Sequence, residues 1–136
     1  MKLVYYMTYP MILLYTLGET SRRGIGYFSI NATTMLEDYS AAILFMIAAW
    51  TWHKASQSAP KFMLLAWGYA AGAMFVPFFA HLEAFMRDAT FRADHIHTDV
   101  NSIILKGTVW AITLVCLYVT FRSKDSQYPG NQFLGR

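Results

Sequence analysis

The densest group of side chains that could do chemistry lies in residues 93–99, where His95, His97 and Asp99 occupy alternate positions. Histidine nitrogen and carboxylate oxygen are the usual protein ligands of zinc, and the same donors take part in iron and manganese sites. Adding His81 from the preceding apolar segment, with Glu83 as a further candidate, would give four ligands. The pattern therefore predicts a divalent transition-metal site, with zinc or iron as the metal, formed by His81, His95, His97 and Asp99.

The same stretch also fits a simpler structural role. It contains no His-x-x-x-His or Glu-x-x-His pair of the kind that a helix presents to one ion. His95 and Asp99 share a face of a helix, whereas His95 and His97 share a face only in an extended segment. The alternative is therefore a polar loop in which Asp94 or Thr98 caps the following helix.

Ionisable side chains inside apolar segments form a second candidate. Asp99, Ser102 and Lys106 fall along one stripe of a helix, because they are spaced by three and four residues. An unpaired ammonium group in hydrocarbon costs at least several kcal/mol. The stripe therefore predicts a partner for Lys106, which is either Asp99 itself or one of Glu37 and Asp38 at the outer end of another helix. The alternative is that Lys106 extends outward to the membrane interface.

Gly68 and Gly72 form a GxxxG motif within an apolar segment. Small residues four positions apart let two helix backbones approach closely, and such packing drives helix association inside lipid. We therefore predict a helix-packing face at Gly68 and Gly72. Both a helix of the same chain and a helix of another subunit fit this face.

Four apolar blocks must position these residues, and the composition indicates their environment. Of 136 residues, 56% are hydrophobic and 14% are charged, whereas an ordinary soluble domain has about 25% charged residues. About 20 apolar residues in a helix cross a hydrocarbon core of about 30 Å. The blocks predict an all-α, integral-membrane bundle of four transmembrane helices at about 2–18, 34–53, 61–87 and 98–122. We expect a single domain over residues 1–136, a kink at Pro10 and a flexible tail at 123–136.

Two alternatives to this architecture are weaker. Lys2 and the apolar residues after it fit the first parts of a secretory signal peptide, but residues 18–21 offer no small-x-small cleavage site. We therefore expect a retained helix. A soluble bundle fits the modest mean hydropathy of +0.31. Soluble helices need a polar face, however, and residues 62–80 contain no ionisable group.

Lysine and arginine counts predict the orientation. Six of these residues fall on the side of both chain ends and four on the opposite side, so the positive-inside rule predicts that both termini are cytoplasmic. His81, His95 and His97 then lie toward the non-cytoplasmic side with nearly all the acidic residues. Asp125 is the exception.

Two functional hypotheses follow. The single cysteine, Cys116, excludes a disulfide or a four-cysteine zinc site within one chain. The net charge of +3 reflects membrane orientation better than nucleic-acid binding. The first hypothesis is a small non-catalytic subunit or assembly factor of a membrane complex, with the lipid bilayer and other membrane subunits, or further copies of itself, as partners. The alternative is a ligand- or metal-binding membrane protein, either an enzyme or a proton-linked carrier, that uses the histidine and aspartate cluster.

Overall fold

Every regular element that the structure describes is helical. The computed structural model describes residues 1–87 and 100–123, and no strand occurs in these ranges. In chain order the elements are α1 (Lys2–Leu13), a π-helical turn (Leu14–Gly18), α2 (Glu19–Arg23), a 3-10 segment (Ile25–Ser29), α3 (Ala32–His53), α4 (Ala59–Met86) and α5 (Val100–Arg122). The predicted all-α class is therefore confirmed for the described residues.

Three helices have the length and composition needed to cross a membrane. They are α3, α4 and α5, with 22, 28 and 23 residues. The fourth, α1, is shorter at 12 residues, although the π-helical turn and α2 continue the same helical run to Arg23. The prediction of four spans thus corresponds to three helices of spanning length and one shorter helix.

The N-terminal helical run continues through Pro10. Proline has no N–H to give to the carbonyl four residues earlier, and the helix widens into the π-helical turn of Leu14–Gly18 shortly afterwards. Within that turn, the Thr16 hydroxyl donates to the Ile12 carbonyl oxygen at 2.7 Å. The run ends at Gly24, whose φ of +76° is a conformation that glycine adopts without strain.

The centre of the bundle combines small side chains on α3 and α4 with two large rings. Four alanines are fully buried in the core, namely Ala41 and Ala48 on α3 and Ala66 and Ala70 on α4. Small residues let neighbouring helices approach closely. Phe45 and Trp67 connect α3 to α4 with an edge-to-face contact at 4.7 Å between ring centroids, and both are completely buried.

α4 packs between α3 and α5, while α1 packs on α3. Two contacts show that α4 and α5 run antiparallel. The Trp110 Nε1 donates to the Ala71 carbonyl oxygen at 3.2 Å, and further along α4 the Phe78 ring lies against Gly107. A Cβ at position 107 would be 2.8 Å from Phe78 Cε2. Only glycine leaves room for the ring where it lies.

The first residue and the last described residue meet at one end of the bundle. The Ser123 hydroxyl donates to Met1 Sδ at 2.8 Å, and Tyr5 stacks on Trp52 with ring centroids 5.7 Å apart. We call this the Met1 end, which contains the last turns of α3 and α5 and the first turn of α4. The opposite end, with α2, Asp38 and the last turns of α4, is the Asp38 end.

Replacing Gly107 by leucine should destabilise the packing of α4 on α5, because the new side chain requires the space of the Phe78 ring. Overpacking costs about 1–3 kcal/mol, partly offset by the gain of about 1 kcal/mol when leucine replaces glycine in a helix. Ala111→Leu is the matched control, since Ala111 is exposed one turn later on the same helix. Thermal unfolding in detergent measures both variants, and equal Tm values would contradict the close approach at Gly107.

Candidate functional site

The predicted metal ligands belong to two parts of the chain. His81 lies on α4 with 5% of its surface exposed, one turn beyond Phe78. His95, His97 and Asp99 lie outside the described residues. Within 1–87 and 100–123, no three His, Cys, Asp or Glu side chains come together as a metal-binding group. The zinc or iron site therefore stays a prediction.

Arg23 is the centre of a polar cluster at the Asp38 end. Its Nε lies 3.1 Å from Glu19 Oε2, one helical turn earlier, and its Nη1 donates to Asp38 Oδ2 at 3.1 Å. The three side chains are mostly shielded, with 16 to 22% of their surface exposed. We call Glu19, Arg23 and Asp38 the Arg23 cluster. Its bonds connect the N-terminal helical run to α3 across the turn at Gly24.

Hydroxyl groups extend this connection to neighbouring helices. The hydroxyls of Thr20 and Tyr39 share a hydrogen bond of 2.7 Å between the N-terminal run and α3. From α4, the Tyr69 hydroxyl donates to the Glu37 carbonyl oxygen at 3.4 Å. Three segments that are distant in sequence are therefore held together at the Asp38 end.

The structure gives the predicted intramembrane charges different surroundings. Asp38 is bonded to Arg23, and the Glu37 side chain is exposed. Lys106 is half-buried on α5, which packs on α4. The pairing of Lys106 with Asp99, Glu37 or Asp38 therefore stays a prediction.

The bridging position of Arg23 was not predicted from the sequence. Only its pairing with Glu19 was predictable, because Glu19 precedes Arg23 by four residues in the order that favours a helical ion pair. The contact with Asp38 depends on the turn between α2 and α3.

Tyr15 lies one turn before Glu19 and is buried, with 3% of its surface exposed. Its ring stacks on Phe45 at a centroid distance of 6.3 Å, and Phe45 in turn contacts Trp67. Within the described part of the chain, neither the Tyr15 hydroxyl nor Trp67 Nε1 has a hydrogen-bond partner. Burying an unsatisfied polar group costs about 1–3 kcal/mol. The packing of this stack therefore gives no reason for the Tyr15 hydroxyl or for the indole N–H of Trp67.

A second aromatic group surrounds Trp110 on α5. Phe78 stacks on the indole at 5.4 Å between centroids, and Phe79 and Phe75 approach its edges at 5.2 and 6.0 Å. These contacts hold α4 against α5 in the region of Gly107. We assign them to packing, because the Trp110 Nε1 is already bonded to a backbone carbonyl.

The two glycines of the GxxxG motif have different surroundings. A Cβ at Gly68 would lie 3.8 Å from Leu117 Cδ1, an ordinary contact with α5, whereas a Cβ at Gly72 would meet no atom of residues 1–87 and 100–123 within 4 Å. Gly72 is exposed on α4. Ala66 and Ala70 on the same helix are fully buried instead. Packing among the described residues therefore accounts for Gly68 at most, and leaves Gly72 open.

Comparisons of this chain with protein-family models, with curated proteins and with solved structures find no match. Function must therefore be inferred from its own residues. The Arg23 cluster and the stacked rings of Tyr15, Phe45 and Trp67 connect helices. The surface of α4 is open at Gly72.

Replacing Arg23 by glutamine should loosen the N-terminal run from α3, because Glu19 and Asp38 both lose the guanidinium. Hydrogen bonds to charged groups contribute about 1.5–3 kcal/mol, and partial exposure lowers the expected loss to about 1–2 kcal/mol. The matched control is Arg87→Gln. Arg87 also contacts an acid, Glu83 at 2.7 Å, but the two side chains are 73 and 57% exposed, so this pair contributes about 0.2–1 kcal/mol.

The free energy of unfolding in detergent distinguishes the two variants. A loss for Arg23→Gln no larger than that for Arg87→Gln would show that the Arg23 cluster does not hold the N-terminal run.

Tyr15→Phe should leave the free energy of unfolding unchanged or raise it by about 1 kcal/mol, because the substitution removes an unsatisfied buried hydroxyl. Tyr39→Phe is the matched control. It removes a hydroxyl that is bonded to Thr20 and should lower the stability by about 1 kcal/mol. A loss of stability in Tyr15→Phe equal to that in the control would mean that the Tyr15 hydroxyl has a bonded partner, such as a bound water or ligand.

Proposed function

We propose that this chain is a multi-pass membrane protein and a small non-catalytic subunit or assembly factor of a larger membrane complex. The first part is supported by three helices that are long and apolar enough to cross a membrane. The observation that carries the second part is the open position of Gly72 on α4.

The surface of the bundle supports insertion into lipid. Large apolar side chains are exposed on the long helices, among them Ile43, Val76 and Leu105 at 50, 64 and 62% exposure. Helices satisfy their own backbone hydrogen bonds, as a spanning segment must. In water an apolar surface of this kind promotes aggregation, whereas lipid chains solvate it.

The charge distribution favours a cytoplasmic Met1 end. Lys2, Lys54, Lys61 and Arg122 all belong to that end, and the positive-inside rule assigns such an end to the cytoplasm. With this orientation both termini are cytoplasmic. This orientation is consistent with the expectation from the sequence that His95, His97 and Asp99 belong to the non-cytoplasmic side.

α4 offers small residues on two faces. The face with Ala66 and Ala70 is used inside the chain. The other face contains Gly72 between Leu65 and Val76, which are 52 and 64% exposed. Glycine inside a helix is less favourable than alanine by about 1 kcal/mol, and no described residue occupies the space that Gly72 leaves. A transmembrane helix of another subunit would use it through close backbone contact.

Two readouts test the proposal. The tagged chain, produced in its native cells, should stay with the membrane fraction and require detergent for extraction. A protein that is monodisperse in plain buffer would contradict the membrane assignment.

In mild detergent, the wild-type chain should migrate in an assembly heavier than the chain alone.

Gly72→Leu should reduce the recovered assembly about tenfold, which corresponds to about 1.4 kcal/mol, because the larger side chain prevents close contact. Gly72→Ala keeps the residue small and should retain most of the assembly. Ala111→Leu, which adds the same bulk elsewhere, should have no effect. An unchanged mass for Gly72→Leu, or a mass equal to copies of this chain alone, would overturn the assignment to a larger complex with other subunits.

A further inference from the structure

Charged side chains divide unevenly between the two ends of the bundle. Among the described acids, Glu19 and Asp38 contact Arg23, and Glu83 contacts Arg87, all of them at the Asp38 end. The side chain of Glu37 is exposed beside Asp38. In residues 1–87 and 100–123, the Met1 end contains no acidic residue. Its cations therefore have no carboxylate partner within the described structure.

Two of these cations lie on aromatic rings. The Lys54 Nζ is 5.8 Å from the centroid of the Trp50 ring, and the Arg122 guanidinium is 5.7 Å from that of Tyr118. The Arg122 Nε also donates to the Tyr118 hydroxyl at 3.1 Å. Trp50 and Tyr118 are 62 and 59% exposed. Tryptophan and tyrosine are enriched at the level of the lipid headgroups, so in the proposed membrane insertion the two positive charges would lie at that depth as well.

The connection between α3 and α4 brings a third cation to the same region. Lys54 follows the last residue of α3, and Lys61 lies in the first turn of α4. The short turn between them is held by a hydrogen bond of 2.9 Å between the Ser56 and Ser58 hydroxyls. Lys54 and Lys61 are both exposed. Lys2, on α1, is exposed at the same end.

We propose that the Met1 end binds the headgroups of anionic phospholipids, with Lys54 and Lys61 as the principal contacts and Lys2 and Arg122 as supporting ones. The phosphate of a headgroup supplies the negative charge that the described protein lacks there. Each lysine or arginine near an anionic membrane surface strengthens binding about fivefold. This inference rests on the proposed membrane insertion and is independent of the proposed role as a subunit.

The test compares lipids retained by the whole chain. The protein is reconstituted into nanodiscs of phosphatidylcholine mixed with phosphatidylglycerol, re-extracted in mild detergent, and the co-purified lipids are quantified by mass spectrometry. Wild type should be enriched in phosphatidylglycerol over the starting mixture. The double variant K54Q/K61Q should lose that enrichment, by about fivefold for each charge removed. R87Q, which removes an exposed cation from the Asp38 end, is the matched control and should behave as wild type.

Salt provides a second measurement on the unaltered chain. Raising the salt concentration from about 0.1 M to about 1 M shortens the Debye length from about 10 Å to about 3 Å. This change should release phosphatidylglycerol from the wild-type protein. Enrichment that is absent in wild type, insensitive to salt, or equally reduced in R87Q would overturn the headgroup site. Failure of wild type to enter either phosphatidylcholine or mixed nanodiscs would instead overturn the membrane assignment.

Discussion

The buried edge-to-face contact between Phe45 and Trp67 joins α3 to α4, and α1 packs on the first of these helices while α5 packs on the second. Fully buried alanines of α3 and α4 belong to the same core. Tyr15 extends the stack toward α1, so the N-terminal run packs against the same centre. Because α4 is also the helix that carries α5, a change at Trp67 would affect both neighbours of α4.

The helices could be predicted from the sequence because ionisable residues interrupt the apolar blocks near their ends. Which face of each helix is buried was harder to predict. α4 has small residues on more than one side, and its apolar side chains lie all around it. No difference in polarity therefore separates the face with Ala66 and Ala70 from the face with Gly72. The buried face carries Trp67, which packs against Phe45 on another helix, and no pattern within α4 reveals that contact.

The candidate site divides in the same way between local and distant contacts. Glu19 and Arg23 are four residues apart, and their pairing follows from helix geometry alone. The contact of Arg23 with Asp38 needs the reversal at Gly24, which a lone glycine does not specify. The close approach at Gly107 also depends on a contact between residues distant in sequence. Its neighbour Phe78 comes from α4, so the close approach could be found only from the packed helices.

The unequal lengths of α3 and α4 have a consequence for the host bilayer. α4 has 28 residues and is therefore about 42 Å long, while α3 with 22 residues reaches about 33 Å at about 1.5 Å per residue. In the proposed membrane insertion, with a hydrocarbon layer of about 30 Å, α3 would fit nearly upright, whereas α4 would lean or extend beyond the acyl chains. Membranes of different thickness would then change the tilt of α4 more than that of α3. Hydrophobic mismatch would thus act as shear on the contact between Phe45 and Trp67.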